Sequence, residues 1–375
     1  HNGQKAYEMM SCYIGMLELF RETGDSLLLQ SAEKAYRHIV EEEINICGSG
    51  ASYECWYGGK AQQHRVAMHT METCVTFTWM QFCERLLEFT GNPDFADKIE
   101  RTLYNALLAS LRADGTQIVK YTPLEGYRQE GEHQCGLPIN CCNANGTRAF
   151  AMIPRIQYRL PEANRIDVNL YIPSTAQVQM SGNRITLVQE TDYPYQDSIC
   201  ITINPTHQQA FTLALRIPAW SQQNSIEVNG EPVQDVKSGS YQLIKRKWKA
   251  GDRITLRIGL VARLVKQGDM QAIERGPIVL ARDSRFGDGD IDENCIIPTD
   301  EAGIVPLVPY PSPHDGMWMA FRLKVLRGAY AEGEGDKEHT AFCDFASAGS
   351  TWDKAQRYRV WLPRTLNARF DPFNP

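Results

Sequence analysis

The spacing of apolar residues changes near Pro161, and this change limits what the chain can fold into. Before Pro161, apolar residues recur every three or four positions, as in Met10, Ile14 and Leu17. After it, apolar and polar residues alternate, as in Phe211-Thr-Leu-Ala-Leu-Arg-Ile. The first spacing is typical of helices and the second of strands. The sequence therefore predicts a helical part followed by a β part.

The helical part contains the same helical hairpin twice. Its first copy turns at Thr23-Gly24-Asp25 and its second at Thr90-Gly91-Asn92-Pro93, an offset of 67 residues (90 − 23). The first helix also carries a second apolar stripe: Met9, Tyr13, Met16 and Phe20. Two stripes predict a helix that is covered on both sides. Repeated hairpins with a buried inner helix favour part of an α/α toroid, and a further helix is predicted from about Asn143 to Tyr158.

The β part contains several short alternating segments, which favour a β-sandwich. Val228-Asn229-Gly230 predicts a tight hairpin turn between two of the strands. The end of the chain is rich in Gly, Pro and Asp, and it is predicted to form loops with a few strands. We therefore predict three segments: a helical domain over residues 1–160, a β-sandwich domain over 161–285, and a β and loop region over 286–375.

Composition excludes several classes of function. The 375 residues carry a net charge of −6 without a dense cluster of Lys or Arg, which argues against nucleic-acid binding. No apolar run is long enough to span a membrane. The eleven cysteines are odd in number, and some, such as Cys12 and Cys83, fall in predicted helices. Mostly free thiols are therefore expected, and neither the compartment nor the oligomeric state follows from the sequence.

Two short clusters supply donors that suit zinc: Glu72-Thr-Cys74 and Cys141-Cys142. Three thiols and a carboxylate match the ligand preference and the tetrahedral geometry of this metal. The clusters lie 67 residues apart (141 − 74), so the fold must bring them together. Glu72 and Cys74 do not share a helical face, so the first helical turn there has to be irregular. Two buried cysteines with a capping glutamate remain the alternative interpretation.

A glycine-rich loop before these clusters contains Glu54 between aromatic residues, among them Trp56. Glu54 is a candidate general acid, and the aromatic rings suit the faces of sugars. An exposed loop glutamate is the alternative. His69, three positions before Glu72, is a candidate metal ligand, although a hydrogen-bonded histidine of the core or of a substrate pocket is the more common case.

These motifs together resemble a known family. The stretches that carry the resemblance are His69-Thr-Met-Glu-Thr-Cys-Val-Thr, Leu103-Tyr-Asn-Ala-Leu-Leu, Cys141-Cys-Asn-Ala-Asn-Gly, Leu215-Arg-Ile-Pro-Ala-Trp, Arg246-Lys-Trp-Lys-Ala-Gly-Asp and Glu274-Arg-Gly-Pro. They occur in the same order in glycoside hydrolases similar to bacterial β-L-arabinofuranosidase, in family 127 and its relative family 146. The resemblance covers about residues 1 to 285.

The resemblance implies a fold and a set of roles. The fold is a partial (α/α)6 barrel followed by β-sandwich domains, and the chain is expected to be the C-terminal part of a longer bacterial protein of the periplasm or cytoplasm. The implied reaction is retaining exo-hydrolysis of terminal β-linked L-arabinofuranose in plant-type glycans. By motif, the roles fall on these residues: Cys141 as nucleophile, Glu54 as acid/base, Glu72, Cys74, Cys141 and Cys142 as Zn²⁺ ligands, and His1, His69 and Trp56 as substrate contacts.

Two other functions compete with this one. A polysaccharide lyase would also combine an α/α toroid with β-sandwiches, using tyrosine and histidine as proton carriers, but it leaves Cys141-Cys142 unexplained. A non-catalytic carbohydrate-binding protein with structural zinc is favoured by a closed set of four ligands, since catalytic zinc normally keeps an open position.

Overall fold

The computed structural model describes residues 3–129, 131, 140–312, 314–327 and 336–364. Spatial contacts divide the chain into two compact units: unit 1 comprises His1–Phe82, Arg101–Ala149 and Val261–Pro375, and unit 2 comprises Cys83–Glu100 and Phe150–Leu260. Both units combine segments that are distant in sequence. The division into 1–160, 161–285 and 286–375 stays a prediction.

The helices of the described ranges are α1 (Ala6–Thr23), α2 (Ser26–Glu42), α3 (Gly59–Gln62), α4 (Thr73–Thr90), α5 (Pro93–Thr102), α6 (Leu108–Ser110) and α7 (Cys141–Gln157). A π-helical segment, Leu103–Leu107, joins α5 to α6. Both predicted hairpins are confirmed, and they turn at Gly24 and Gly91, each with a positive φ that glycine adopts readily. The further helix is confirmed as α7. None of the described helices has the length and apolar character needed to cross a membrane.

The described helices do not close into a ring, so the predicted toroid is not established. The prediction that α1 is covered on both sides is wrong for the described residues. Only Ala6, Met10 and Leu17 of α1 are buried, although α2 packs against α1 and Tyr13 stacks on Phe82 of α4. The second stripe is only partly buried.

The strands, in chain order, are β1 (Glu125–Gly126), β2 (Tyr158–Glu162), β3 (Arg165–Val168), β4 (Ser174–Met180), β5 (Asn183–Thr191), β6 (Ser198–Pro205), β7 (Gln209–Ile217), β8 (Asn224–Val228), β9 (Glu231–Pro232), β10 (Ser240–Trp248), β11 (Asp252–Ile258), β12 (Ala262–Gln267), β13 (Met270–Arg275), β14 (Ile278–Asp283), β15 (Cys295–Ile296), β16 (Val308–Pro309), β17 (Ala320–Arg327), β18 (Asp336–Asp344), β19 (Tyr358–Arg359) and β20 (Leu362–Pro363). Helices followed by many-stranded sheets are thus the architecture, as the change of apolar period predicted.

Unit 1 contains a ten-stranded sheet with the order β1-β19-β14-β18-β17-β15, to which β12, β13, β16 and β20 are attached. The antiparallel pair β17 and β18 lies in the segment that was expected to hold a few strands, so this part does continue the β structure. Arg128 is buried beneath the sheet, with its guanidinium 5.0 Å from the ring centres of both Phe345 and Tyr358. It donates a hydrogen bond to the carbonyl of Ala109 in α6.

The π-helical segment is tied to the ten-stranded sheet through Asn105. Its carboxamide donates to the carbonyl of Pro277 at 2.8 Å and accepts from the backbone N–H of Val279 at 2.8 Å. It also donates to the carbonyl of Arg101, at 2.7 Å. The buried Asn105 side chain therefore satisfies backbone hydrogen-bonding groups of both a helix and a strand. It also connects the sequence motif that begins at Leu103 with the motif that ends at Pro277.

Unit 2 contains a six-stranded sheet with the order β4-β5-β6-β11-β8-β9 and a four-stranded sheet with the order β10-β7-β3-β2. Alternate residues of β6 are buried, as strand periodicity predicts. The predicted hairpin turn is confirmed, since Val228 pairs with Glu231 and the intervening Asn229 and Gly230 both have positive φ.

A buried arginine organises the ion pairs of unit 2. Arg216 on β7 is fully buried and bonds to the carboxylates of Asp97 and Glu100 on α5. Glu100 also accepts a 2.9 Å hydrogen bond from the Tyr193 hydroxyl. Burial raises the pKa of Asp97 to about 6, against the opposing effect of Arg216. Removal of the guanidinium would leave two carboxylates without their counter-ion.

We expect Arg216→Leu to lower the free energy of unfolding by about 3–5 kcal/mol, because two buried acids lose their partner. Urea denaturation followed by circular dichroism would measure this loss. Arg257→Leu is the matched control, because Arg257 forms an exposed ion pair on β11, and exposed pairs contribute about 0–1 kcal/mol. Similar small losses in both variants would contradict this role for Arg216.

Candidate active site and metal centre

Backbone hydrogen bonds bring three segments of unit 1 together around the site. The loop at 51–55 pairs with the loop at 69–73, since Tyr53 N–H donates to the His69 carbonyl at 3.1 Å. The second loop pairs with the segment at 118–122, since Thr73 N–H donates to the Lys120 carbonyl at 2.9 Å. Glu72, on the middle segment, forms a bridge with Tyr121. Residues distant in sequence thus become neighbours before α4 begins.

Both loops contain backbone conformations that non-glycine residues rarely adopt. Ala51, Tyr53, Glu54, His69 and Met71 all have positive φ, between 47° and 69°. This conformation costs about 1–2 kcal/mol for a residue with a side chain. The loops are therefore held in place by their hydrogen bonds rather than by local preference.

The four predicted metal ligands do converge. One donor atom from each of Glu72, Cys74, Cys141 and Cys142 lies within 4.8 Å of all the others. The sulfur of Cys142 is 3.4 Å from that of Cys74 and 3.5 Å from Glu72 Oε1, and the Cys141 sulfur is 3.8 Å from the same oxygen. Glu72 directly precedes α4, and its carbonyl accepts the first helical hydrogen bond from Thr76 N–H at 2.9 Å; the irregular first turn is not seen.

The cluster differs in exposure from one member to the next. Glu72, Cys74 and Cys142 are buried, whereas Cys141 is exposed. Both vicinal cysteines sit at the start of α7, where the Asn140 side chain accepts a 2.9 Å hydrogen bond from Cys142 N–H. Cys141 is therefore the one thiol of the cluster that is accessible from outside the protein.

The charges in the cluster compete with one another. Burial, and then the charges of Glu54 and Cys141, raise the pKa of Glu72 to about 7. Hydrogen bonding from Cys142, and then from Cys74, lowers the pKa of Cys141 below its usual range, assisted by Lys120. The hydrogen bonds of Cys142 with Cys141 and Cys74 raise the pKa of Cys142. Without a cation, these acids resist ionising together.

Both the chemistry and the spacing of the donors fit zinc. Tetrahedral zinc–thiolate bonds of about 2.3 Å place two sulfurs about 3.8 Å apart, close to the separations found here. A dication would also compensate the like charges that raise the pKa of Glu72. Asn145, one helical turn after Cys141, donates a 3.1 Å hydrogen bond to the Cys74 sulfur and so orients that ligand.

Gly146 lets α7 approach the ligand-bearing segments closely. A Cβ atom there would lie 2.6 Å from Ile118 and 3.1 Å from the Thr73 side chain. A larger residue there would require the Ile118 side chain or α7 to shift.

Glu54 lies beside the cluster, in charged surroundings. Its Oε2 accepts a hydrogen bond from Lys5 Nζ at 2.5 Å, and its Oε1 is 3.8 Å from Lys120 Nζ. Of the aromatic residues next to it in sequence, Tyr53 is largely exposed and Trp56 is fully buried. Its polar neighbours are two ammonium groups.

The predicted substrate contacts occupy different environments. His69 packs between the rings of Tyr53 and Tyr121, with centroid distances of 4.5 and 4.8 Å, and it lines a cavity of about 520 Å³. Lys120 lines the same cavity. Trp56 is fully buried, so its position does not support sugar contact. His1 lies outside the described residues.

Sequence reasoning missed three residues: Lys5, Lys120 and Asn145. Asn145 could have been found, because it stands one helical turn from both vicinal cysteines. The lysines carried no such signal, since they reach Glu54 from separate segments of the chain.

The chain matches models of one enzyme family along most of its length. The family model described as "Beta-L-arabinofuranosidase, GH127 catalytic domain" matches residues 1–155, and the GH127 middle-domain model matches residues 165–260. A non-reducing end β-L-arabinofuranosidase of Bifidobacterium longum subsp. longum is 24% identical over 306 residues, which cover 74% of this chain and 45% of that protein.

Solved structures of the same class share the fold. The crystal structure of a GH127 β-L-arabinofuranosidase from Geobacillus stearothermophilus T6 matches with a TM-score of 0.80 and 23% identity, over 96% of this chain and 61% of that one. A second GH127 β-arabinofuranosidase matches with a TM-score of 0.78 and 24% identity, over 96% and 60%.

These matches define a glycoside hydrolase fold. The chain belongs to glycoside hydrolase family 127. It spans about half the length of the curated relative that it matches.

We expect the purified protein to bind about one zinc ion per chain, and Cys74→Ser to lower the affinity by about tenfold or more, because even outer-shell partners of a metal contribute that much. Elemental analysis and competition with a chromogenic chelator would measure both quantities. Cys83→Ser is the matched control, because Cys83 is another buried cysteine on α4 outside the cluster. An equal loss in the two variants would count against the four-ligand centre.

Proposed function

We propose that this protein is a retaining glycoside hydrolase that releases terminal β-linked L-arabinofuranose from arabinose-containing glycans. The observation that carries the proposal is the difference in solvent exposure among the four residues of the cluster. Glu72, Cys74 and Cys142 are buried, whereas Cys141 is exposed to solvent. The relatives named above supply the sugar, since their names specify β-L-arabinofuranosides. Residues 1–160 would then be part of an (α/α)6 catalytic barrel, followed by β-sandwich domains.

In the first step Cys141 acts as the nucleophile. Its sulfur forms a bond to the anomeric carbon while the bond from that carbon to the leaving oxygen breaks. Glu54 gives its proton to that oxygen, so the rest of the glycan departs as an alcohol. The enzyme is left with a thioglycosyl group on Cys141 and a carboxylate at Glu54.

In the second step water replaces the sulfur. Glu54 accepts a proton from the water as its oxygen attacks the anomeric carbon, and the carbon–sulfur bond breaks to return the Cys141 thiolate. Two displacements at one carbon retain its configuration, as in glycosidases that use two carboxylates. A zinc ion held by Glu72, Cys74, Cys141 and Cys142 would supply positive charge that favours the thiolate form of Cys141.

The cavity lined by His69 and Lys120 is the proposed place for the sugar or its neighbour in the glycan. Its volume of about 520 Å³ lies within the range of small-ligand sites, about 300–1,000 Å³. His69 and the rings of Tyr53 and Tyr121 would supply contacts to sugar faces and hydroxyls. Assays of the whole protein on aryl pentofuranosides would test the activity, whereas a lyase would form an unsaturated product that absorbs in the near ultraviolet.

We expect Glu54→Gln to lower kcat/KM by about 10²–10⁴-fold for alkyl arabinofuranosides, because their departure needs a proton. Aryl glycosides with acidic leaving groups need little proton assistance and should lose much less in this parameter. Steady-state kinetics on both substrate types would measure the difference. Glu42→Gln, at an exposed position of α2, serves as the control. Equal losses on the two substrates would point to a structural role for the loop.

We expect Cys141→Ser to abolish turnover while the fold is kept, because a serine hydroxyl is a far weaker nucleophile at neutral pH. A cyclic electrophile shaped like L-arabinofuranose should add one sugar-sized mass to the wild-type protein. Peptide mapping by mass spectrometry should place that mass on Cys141 and not on the exposed Cys12. A label on Glu54 or Glu72 would instead identify a carboxylate nucleophile and reduce Cys141 to a ligand.

A further inference from the structure

The segment before α1 is bonded to the loop that carries Glu54. Gly3 N–H donates to the Trp56 carbonyl and Trp56 N–H to the Gln4 carbonyl, both at 2.9 Å. Ala6 N–H donates to the Glu54 carbonyl at 2.8 Å. These bonds fix the backbone of Glu54 in its positive-φ conformation. The residue in the middle of this segment, Lys5, is therefore placed next to the Glu54 side chain.

The two oxygens of the Glu54 carboxylate have different surroundings. Oε2 accepts a hydrogen bond from Lys5 Nζ at 2.5 Å. Oε1 is 3.8 Å from Lys120 Nζ, which exceeds hydrogen-bond length. Among the described residues, no donor bonds to Oε1. The two ammonium groups thus act differently: Lys5 fixes one oxygen, and Lys120 faces the other from the cavity wall.

This asymmetry determines which oxygen can exchange a proton. An ammonium group has only donors, so a proton on Oε2 would meet the N–H groups of Lys5. Oε1 lies 3.8 Å from the Lys120 ammonium, too far for a hydrogen bond, so a proton on Oε1 does not displace an existing hydrogen bond, and Lys120 also lines the cavity.

We propose that Lys5 is a positioning residue for acid/base catalysis: it holds Glu54 Oε2 so that Oε1 carries the proton exchanged with the leaving group and with water. The inference rests on the function proposed above. Lys5 does not touch the substrate and acts only through Glu54.

A simple surface ion pair is the competing explanation for the contact. The Lys5 side chain is 54% exposed, and exposed pairs contribute about 0–1 kcal/mol to stability. A surface pair would therefore leave catalysis unchanged when it is removed. The positioning role predicts the opposite: little change in stability but a loss of rate that depends on the leaving group.

The experiment compares Lys5→Met, Lys5→Gln and Lys5→Arg in the full-length protein. Lys98→Met is the matched control, because Lys98 forms an ion pair with Asp94 on the surface of α5. We expect Lys5→Met and Lys5→Gln to lower kcat/KM for alkyl arabinofuranosides by about 10–100-fold, in line with the effect of a displaced catalytic group. Activated aryl arabinofuranosides should be nearly unaffected, Lys5→Arg should restore most of the rate, and the melting temperatures should match that of the control.

The outcomes separate this inference from the proposed function. If Glu54→Gln shows the leaving-group dependence but the Lys5 variants do not, the positioning role is overturned and the proposed function stands. Equal losses on both substrates in the Lys5 variants, or no recovery in Lys5→Arg, would overturn the positioning role as well. If the wild-type protein releases no arabinofuranose, both proposals are overturned.

Discussion

Repulsion between like charges is the constraint on which the site depends. Glu72 and three cysteines place four acidic donors within 4.8 Å of one another, mostly out of contact with water. Such groups cannot all ionise in a medium of low polarity unless a cation joins them. Burial, and then the charges of Glu54 and Cys141, raise the pKa of Glu72. Backbone hydrogen bonds hold the segment of Glu72 against the segment of Lys120, and the start of α7 supplies Cys141 and Cys142.

The exposed member of the cluster connects this constraint to chemistry. A closed set of four ligands favours a structural metal, because catalytic zinc usually keeps an open position. The reaction proposed here avoids that objection, because the nucleophile is the ligand Cys141 rather than a metal-bound water. Glu54 approaches the cluster from a separate loop, and its charge acts on both Glu72 and Cys141. The proposed nucleophile and the proposed acid/base therefore lie on two different segments, the start of α7 and the loop at 51–55.

Much of the architecture could be predicted because it depends on local pattern. The helical hairpins followed from apolar spacing and from glycines that end helices, and the turn at Asn229-Gly230 followed from its residue types. The convergence of Glu72, Cys74, Cys141 and Cys142 was predicted from the chemistry of their donor atoms. The π-helical segment was missed because it depends on Asn105 bonding to β14, a contact far away in sequence. The lysines around Glu54 and the partial exposure of α1 were missed for the same reason, since tertiary contacts determine both.

The positive-φ residues of the two loops have a consequence for how this protein can be altered. Of the nine such non-glycine residues in the described structure, five lie in the loops at 51–54 and 69–71. Glycine at any of them would relieve the backbone strain but would add freedom to the unfolded chain and to the loop itself. The orientations of the Glu54 and Glu72 side chains would then be less restrained. Substitutions that raise thermostability are therefore expected in the sheets and helices rather than in these two loops. In the loops, a substitution that lowers the backbone strain would also loosen the geometry that the proposed reaction needs.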